Sequence, residues 1–212
     1  MRKPPNREYF ENVYKQSSDP YDYETSSFNH RKYERTIEVL EHRRYHRVLE
    51  AGCSIGTFTA MLAPLCDEVL ATDISEKAVI TARERLADFP HVCVEQRTLP
   101  EETPKGPFDL IVASDILYYM PRDVILATLR RFEEVLAPGG ALLAFHGRWH
   151  SWRHQTVKLI ERVTPFLSRC WPLKHRTLHG DEVHELLTGH TRLANTVRLV
   201  EPRYRLDLFE DR

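Results

Sequence analysis

The 212-residue sequence predicts a doubly wound α/β fold, because short apolar runs alternate with longer amphipathic stretches along most of the chain. Glycine and proline clusters separate these segments, and the apolar runs have the length of strands. Two segments of alternating polar and apolar residues follow near the C-terminal end. We predict a Rossmann-like sheet of seven strands, mostly parallel with a C-terminal antiparallel strand, in a single domain over residues 1–212.

The predicted elements follow one another in the order that βαβ units require. Strands are predicted over residues 47–50, 68–72, 92–94, 108–113 and 141–145. Helices are predicted over 57–65, 76–89, 122–136, 155–167 and 181–187. Ser75 directly precedes the second of these helices and is expected to be its N-cap.

Two terminal regions flank the alternating part of the chain. Residues 1–46 are rich in aromatic side chains and contain an amphipathic helix over 29–40, so we expect them to form a helical lid. Residues 146–212 are expected to form the region on the acceptor side of the site. Within them, 195–200 and 204–209 predict an antiparallel pair that completes the sheet.

Composition limits the class of partner. The chain carries 30 Lys and Arg against 31 Asp and Glu, so no general positive field favours nucleic acid. The four cysteines form neither a CxxC pair nor a zinc-type spacing, which predicts no disulfide framework or structural metal. No stretch approaches the ~20 apolar residues that cross a bilayer. We expect a cytoplasmic protein, monomeric or homodimeric, that acts on a small molecule and has no membrane partner.

The strongest local pattern is a glycine-containing loop between the first strand and the next helix. Gly52 and Gly56 let the backbone turn tightly and approach a ligand at the carboxyl ends of the strands. Asp73 ends the second strand, where a carboxylate accepts hydrogen bonds from both hydroxyls of a ribose. These features suit either NAD or S-adenosylmethionine (SAM). The loop is ExGxSxG and does not complete GxGxxG, which favours SAM.

Four motifs together carry a family resemblance over about residues 45–145. They are LEAGCSIGTFT (49–59), TDI (72–74), FDLIVASDILYY (108–119) and LAPGG (136–140). In this order they resemble the motifs of class I SAM-dependent methyltransferases. Within that superfamily the first and third most resemble the NodS-like branch, whose namesake N-methylates an amino sugar in nodulation-factor synthesis.

The resemblance implies a set of cofactor contacts. The loop from Gly52 to Gly56 would hold the amino-acid part of SAM, Asp73 the ribose, and Thr98 with Leu99 the adenine. The full predicted set is Tyr23, Tyr33, Glu50, Gly52, Cys53, Ser54, Gly56, Asp73, Ile74, Thr98, Leu99 and Ser114. Two positions depart from the family pattern: Thr98 stands where most relatives carry an acid, and Ser54 where many have a second glycine.

Candidate acceptor-side residues follow the fourth and fifth strands. Methyl transfer is an in-line displacement, so the protein must align the acceptor, exclude water and manage one proton. Asp115 would hold a cationic amine or help remove its proton, and Tyr118 would line the pocket. The alternative is that Asp115 caps a helix and the tyrosine packs in the core.

His146 follows the fifth strand and is the candidate general base. A helical run would place His146, His150 and His154 on one face, which raises a metal site as a possibility. No carboxylate or cysteine accompanies them and Gly147 interrupts a helix, so we predict no metal. The alternative for these histidines is a solvated surface without a chemical role.

The sequence as a whole predicts a methyltransferase that converts SAM to S-adenosylhomocysteine (SAH) while methylating a small polar acceptor. The resemblance favours N-methylation of an amino sugar, a glycosylated compound or another amine-bearing product of specialised biosynthesis. One alternative is an O-methyltransferase that uses His146 as its base. A second is a non-catalytic SAM- or nucleoside-binding protein, and a third is an NAD oxidoreductase.

Overall fold

One mixed sheet organises the computed structural model, which describes residues 4–148 and 177–211. The described strands are β1 (Tyr45–Ala51), β2 (Cys66–Asp73), β3 (Val92–Gln96), β4 (Phe108–Ser114), β5 (Leu136–Gly147), β6 (Ala194–Val200) and β7 (Tyr204–Glu210). Their order across the sheet is β3-β2-β1-β4-β5-β7-β6. Strands β1 to β5 pair in parallel, whereas β7 is antiparallel to both β5 and β6. The predicted fold class is confirmed.

Helices follow the strands as predicted, with differences at their ends. The described helices are α1 (Arg7–Gln16), α2 (Ser27–Leu40), α3 (Thr57–Leu62), α4 (Glu76–Arg85), α5 (Arg122–Val135) and α6 (Gly180–His190). Ser75 caps α4, because its hydroxyl accepts a hydrogen bond from the Ala78 amide. Past α3, residues 63–65 tighten into a 3-10 turn that contains Pro64, which has no amide proton to donate. The helix predicted over 155–167 lies outside the described residues.

Both faces of the sheet are covered by helices. Successive residues of a strand point in opposite directions, so each buried strand contributes apolar side chains to both faces. On one face, residues such as Val48 and Leu110 pack with Phe58 of α3. On the other face, Leu49 and Ile111 of the same strands pack with side chains of α5 and α6. The near-continuous apolar strands therefore reflect burial on two sides, as expected of a parallel sheet.

The strand order reverses between β1 and β4, which both run parallel and lie side by side at the centre of the sheet. In an open α/β sheet this switch point leaves a crevice at the carboxyl ends of the strands. The loop after β1 is fixed there, since the amides of Gly52 and Cys53 both donate to the Thr72 carbonyl of β2, at 2.7 and 2.8 Å.

No helix within residues 4–148 and 177–211 is both long and apolar enough to span a membrane.

Candidate active site

A cavity of about 360 Å³ opens at the carboxyl ends of β1, β2 and β4. Its volume falls in the range of roughly 300 to 1,000 Å³ that is usual for small-molecule sites. Nine of the predicted site residues line it: Tyr23, Gly52, Ser54, Asp73, Ile74, Thr98, Leu99, Ser114 and Asp115. The structure thus brings together the loop, the acidic strand end and the start of the acceptor-side segment.

The loop after β1 adopts a backbone that favours glycine at three positions, Gly52, Ser54 and Gly56. Gly52 has a φ of +78°, and a Cβ atom there would lie 2.1 Å from Cγ2 of Ile116. Ser54 has a φ of +53° although it is not glycine. Its hydroxyl lies 2.6 Å from the Tyr14 hydroxyl in a buried hydrogen bond, which compensates for the backbone strain. The serine in the ExGxSxG pattern therefore connects the loop to α1.

Asp73 is buried at the end of β2 and faces the cavity. Its Oδ2 accepts a hydrogen bond from the Ser54 amide and its Oδ1 one from the Ser75 amide, both at 2.9 Å. Burial raises the pKa of this carboxyl to about 6, although hydrogen bonds from the backbone amides of Ser75, Ser54 and Ile74 oppose the shift. The carboxylate lines the cavity, where it could accept ribose hydroxyls.

Thr98 stands where most relatives carry an acidic residue, and its neighbours in the structure supply a carboxylate nearby. The Thr98 hydroxyl accepts a hydrogen bond from Nη2 of Arg7 at 2.7 Å, which ties the N-terminal segment to this wall. The Thr98 amide donates to Oε2 of Glu102 at 2.6 Å. A carboxylate therefore lies next to this position, although Thr98 itself is not acidic, and Leu99 adds an apolar surface to the cavity.

The N-terminal segment covers one side of the cavity with aromatic rings from Phe10, Tyr14, Tyr21 and Tyr23. Of the two tyrosines expected to cover the cofactor, only Tyr23 lines the cavity. Tyr33 lies behind it, with its ring centroid 6.1 Å from that of Tyr23. The segment lies over one side of the cavity, and its role as a lid stays a prediction.

Asp115 lies on the acceptor side in an ion pair with a buried lysine, which the sequence patterns did not reveal. Its Oδ2 is 2.8 Å from Nζ of Lys32 in α2, and its Oδ1 accepts a hydrogen bond from the Gly147 amide at 2.9 Å. The Lys32 side chain is 1% exposed, and its ammonium lies 4.5 Å from the centre of the Tyr33 ring. The available signal was a lysine on the buried stripe of α2, one turn before Thr36.

The two remaining catalytic candidates do not line the cavity. The 3-10 turn Leu117–Tyr119 directs Tyr118 inward, where it is 2% exposed and packs 5.2 Å from the His146 ring, and Tyr119 lines the cavity in its place. His146 is fully buried, and its Nε2 accepts a hydrogen bond from the Leu117 amide at 3.3 Å. Its Nδ1 is 3.2 Å from Nε2 of His184. This placement argues against the general-base role that the sequence suggested.

Three predicted cofactor residues support the loop from behind the cavity wall. Gly56 permits close packing of α3 on α4, since a Cβ atom there would lie 2.9 Å from Cδ1 of Leu86. Cys53 is buried. Glu50 is 2% exposed, and its Oε2 makes no hydrogen bond within the described part of the chain. Burial raises the Glu50 pKa to about 7.

The predicted histidine row continues to His150 and His154, which lie outside the described residues. Among residues 4–148 and 177–211, no group of three or more His, Cys, Asp or Glu side chains is placed to hold a metal ion.

Sheet order, glycine loop and strand-end carboxylate are features that SAM-dependent methyltransferases share with dinucleotide-binding enzymes, and the family comparison identifies the methyltransferase class. The family model for Nodulation protein S (NodS) matches residues 7–157, and the chain belongs to the NodS family. The resemblance inferred from the sequence motifs is confirmed.

Individual relatives agree with this assignment. Nodulation protein S of Bradyrhizobium diazoefficiens is 32% identical over 128 residues, which is 59% of this chain and 61% of the relative. Nodulation protein S of Rhizobium tropici is 27% identical over 80% of this chain and 73% of the relative. The match thus spans less than two thirds of the first relative's length and somewhat more of the second.

Two solved structures extend the comparison to the fold. A presumed methyltransferase from Pseudomonas syringae is 31% identical, with a TM-score of 0.69 over 87% of this chain and 99% of the other. The N-methyltransferase NodS from Bradyrhizobium japonicum WM9, in complex with SAH, has a TM-score of 0.78. It covers 98% of this chain and 99% of the other at 20% identity, so this likeness concerns the fold.

Proposed function

We propose that this chain is a SAM-dependent N-methyltransferase whose acceptor is an amino sugar or another small amine-bearing metabolite. The burial of His146 is the observation that favours a nitrogen acceptor over an oxygen acceptor. The Nε2 lone pair of this histidine accepts a hydrogen bond from the Leu117 amide. A hydroxyl acceptor needs a base to become nucleophilic, whereas a neutral amine has its own lone pair. The NodS protein from Bradyrhizobium japonicum WM9 is an N-methyltransferase, which supports the same choice.

Three tyrosines and Asp115 on the described cavity wall are also unsuited to take a hydroxyl proton. Burial raises the pKa of Tyr14, Tyr21 and Tyr23 well above the ordinary value of 10.0, so these phenols stay protonated near neutral pH. Asp115 is neutralised by the Lys32 ammonium. An amine acceptor that arrives without its extra proton fits this wall better than a hydroxyl.

The residues around the cavity fit SAM as the cofactor. Asp73 would accept the ribose hydroxyls, Ile74 and Leu99 would contact the adenine, and the loop at Gly52 would hold the amino-acid part. Among residues 4–148 and 177–211, Oε2 of Glu50 has no hydrogen-bond partner, and this buried acceptor beneath the loop suits a nearby cationic group. When bound, SAM supplies an electrophilic methyl group.

The chain's own residues orient the acceptor and exclude water. Tyr23 and Tyr119 narrow the cavity with ring surfaces. Asp115 lines the cavity, where its carboxylate would accept a hydrogen bond from an N–H of the acceptor amine. Lys32 neutralises the charge of this carboxylate. The carboxylate would therefore orient a neutral amine without stabilising the ammonium form, which lacks a lone pair.

Calorimetry with SAM and SAH, followed by transfer assays with methyl-labelled SAM, tests the proposal. Glucosamine, N-acetylglucosamine and glucose form a matched series that differs at one position, as an amine, an amide or a hydroxyl. We expect both ligands to bind and label to enter the amine alone.

Each other outcome has a definite meaning for this proposal. Label on glucose would establish the oxygen alternative. Cofactor binding without transfer to any amine or alcohol would favour a non-catalytic binding protein, and failure of both ligands to bind would overturn the cofactor assignment.

A further inference from the structure

A chain of three buried side chains lies behind the acceptor-side wall and is not explained by the methyl-transfer chemistry. His146 in β5, His184 in α6 and Asp207 in β7 are all fully buried. Nδ1 of His184 is 2.8 Å from Oδ2 of Asp207, and its Nε2 is 3.2 Å from Nδ1 of His146. Three elements that are distant in sequence therefore meet through one continuous set of hydrogen bonds.

The hydrogen bonds allow one arrangement of protons. Nε2 of His146 accepts from the Leu117 amide, so the neutral ring carries its proton on Nδ1 and donates it to His184. Nε2 of His184 then has no proton, and its Nδ1 donates to the Asp207 carboxylate. Protonation of either ring would place two donors against each other, so these contacts favour two neutral histidines.

The surroundings of Asp207 and His184 agree with this arrangement. Burial alone would raise the Asp207 pKa, but the hydrogen bond from His184 and nearby charge lower it to about 2. Arg205 and Arg198 both donate to the same carboxylate. Burial lowers the pKa of His184 although Asp207 opposes the shift. An anionic aspartate therefore faces a neutral imidazole.

At the other end of this set of hydrogen bonds, His146 supports the turn that forms the acceptor-side wall. Leu117 is the first residue of the 3-10 turn, and both Ile116, which precedes the turn, and Tyr119, which ends it, line the cavity. Ile116 also fills the space that the missing Cβ of Gly52 leaves open. A shift of this turn would therefore move both the acceptor wall and its contact with the cofactor loop.

Close packing of α6 on β5 makes the hydrogen bond between His146 and His184 possible. A Cβ atom at Gly180 would lie 2.5 Å from the Gly147 carbonyl oxygen, so glycine at the start of α6 lets this helix approach the end of β5. His184 lies one turn further along α6 and thereby reaches His146. The segment and the turn are also joined directly, because the Thr177 amide donates to the Tyr118 carbonyl at 2.7 Å.

We infer that His146 and His184 are positioning residues. Their hydrogen bonds connect Asp207 to the Leu117 amide and thereby hold the acceptor-side turn in place. Neither ring contacts the cavity, so neither is a catalytic residue. The effect on methyl transfer rests on the proposed function, whereas the proton arrangement and the support of the turn do not.

Nuclear magnetic resonance of the full chain with ¹⁵N-labelled histidine tests the proton arrangement. Long-range ¹H–¹⁵N spectra distinguish the two neutral tautomers, and His146→Gln and His184→Gln assign the signals. We expect both rings to be neutral and protonated on Nδ1 in the wild type. A proton on Nε2 of His146, or a cationic ring at neutral pH, would overturn the inference without any assay of transfer.

His184→Gln and His184→Leu form a matched pair for the positioning role. The glutamine oxygen can still accept the His146 proton, whereas leucine leaves that buried N–H without a partner. We expect hydrogen exchange at the Leu117 amide to become roughly tenfold faster in the leucine variant and to stay near wild type in the glutamine variant.

The same pair separates this inference from the proposed function. In transfer assays we expect kcat of His184→Leu to fall by about 10- to 100-fold, with SAH affinity little changed and with kcat restored in His184→Gln. Equal exchange and equal kcat in the two variants would refute the positioning role. Absence of transfer by the wild-type chain would refute the proposed function alone, because exchange and tautomer measurements still decide the inference.

Discussion

Replacing Glu50 with glutamine removes a buried titratable group while keeping the shape of the side chain. Glu50 ends β1 beneath the cofactor loop, is 2% exposed and has one oxygen without a hydrogen bond among the described residues. Burial is the main reason why its pKa rises from 4.5 to about 7. The charge of Asp73 adds to the rise, whereas Thr59 and Lys32 oppose it.

The sign of the resulting pH dependence follows from proton linkage. In the unfolded chain Glu50 releases its proton near pH 4.5, whereas the folded chain retains it up to about pH 7. Between these values the unfolded state binds fewer protons, so the free energy of unfolding falls as pH rises. The gap between the two pKa values corresponds to about 3 kcal/mol of stability. This stability is lost progressively as pH rises from the unfolded to the folded pKa, and it is absent above the folded pKa.

Urea unfolding of the wild type and Glu50→Gln at pH 5 and pH 8 measures this effect. The stability of the variant relative to wild type is expected to increase by about 2 to 3 kcal/mol between these two pH values. Glu84→Gln, at an exposed position of α4, serves as the control and is expected to show no such change. A stability difference between Glu50→Gln and wild type that stays constant with pH would refute the reasoning.

Three further substitutions test the other contacts of the site. Asp73→Ala is expected to weaken SAH binding in calorimetry by about 1.5 to 3 kcal/mol, because a charge-assisted hydrogen bond to the ribose is lost; unchanged affinity would contradict the ribose role. Tyr14→Phe removes the buried bond to Ser54, and a double-mutant cycle with Ser54→Gly in urea is expected to show a coupling of about 1 kcal/mol; additive effects would show that the hydroxyls are not coupled. Lys32→Met leaves Asp115 without its cation and is expected to cost about 3 kcal/mol of stability. Much of that loss should return in the double variant with Asp115→Asn, and a double variant no more stable than Lys32→Met would exclude the ion pair as the cause.

Local patterns in the sequence predicted the architecture because each pattern has a local physical origin. Apolar runs bounded by turns give strands, and the carboxyl ends of parallel strands share one edge of the sheet. The positions of Gly52 and Asp73 at two such strand ends therefore predict a shared cavity, and the structure brings them together. The motifs in this part of the chain also sufficed to predict the NodS family.

Only the tertiary structure decided which acceptor-side residues face the cavity. Tyr118 and Tyr119 are neighbours of the same type, and their directions depend on the 3-10 turn that places the first inward. His146 ends a strand next to the cavity edge, but α6 packs over it and buries the ring. Sequence position places a residue near the site, whereas the packing of later elements fixes which way its side chain points.

The partners of the buried charged and titratable groups in and behind the site were likewise hidden from the sequence. Lys32 and Asp115 are 83 positions apart, and His184 and Asp207 are 23 positions apart. A charged residue on a buried helix stripe or inside a buried strand indicates that a partner exists, because a lone buried charge is too costly. The sequence by itself thus determined the fold and the cofactor edge of the site. Tertiary packing alone decided the partners of buried charges, since that choice depends on contacts between elements that no local pattern contains.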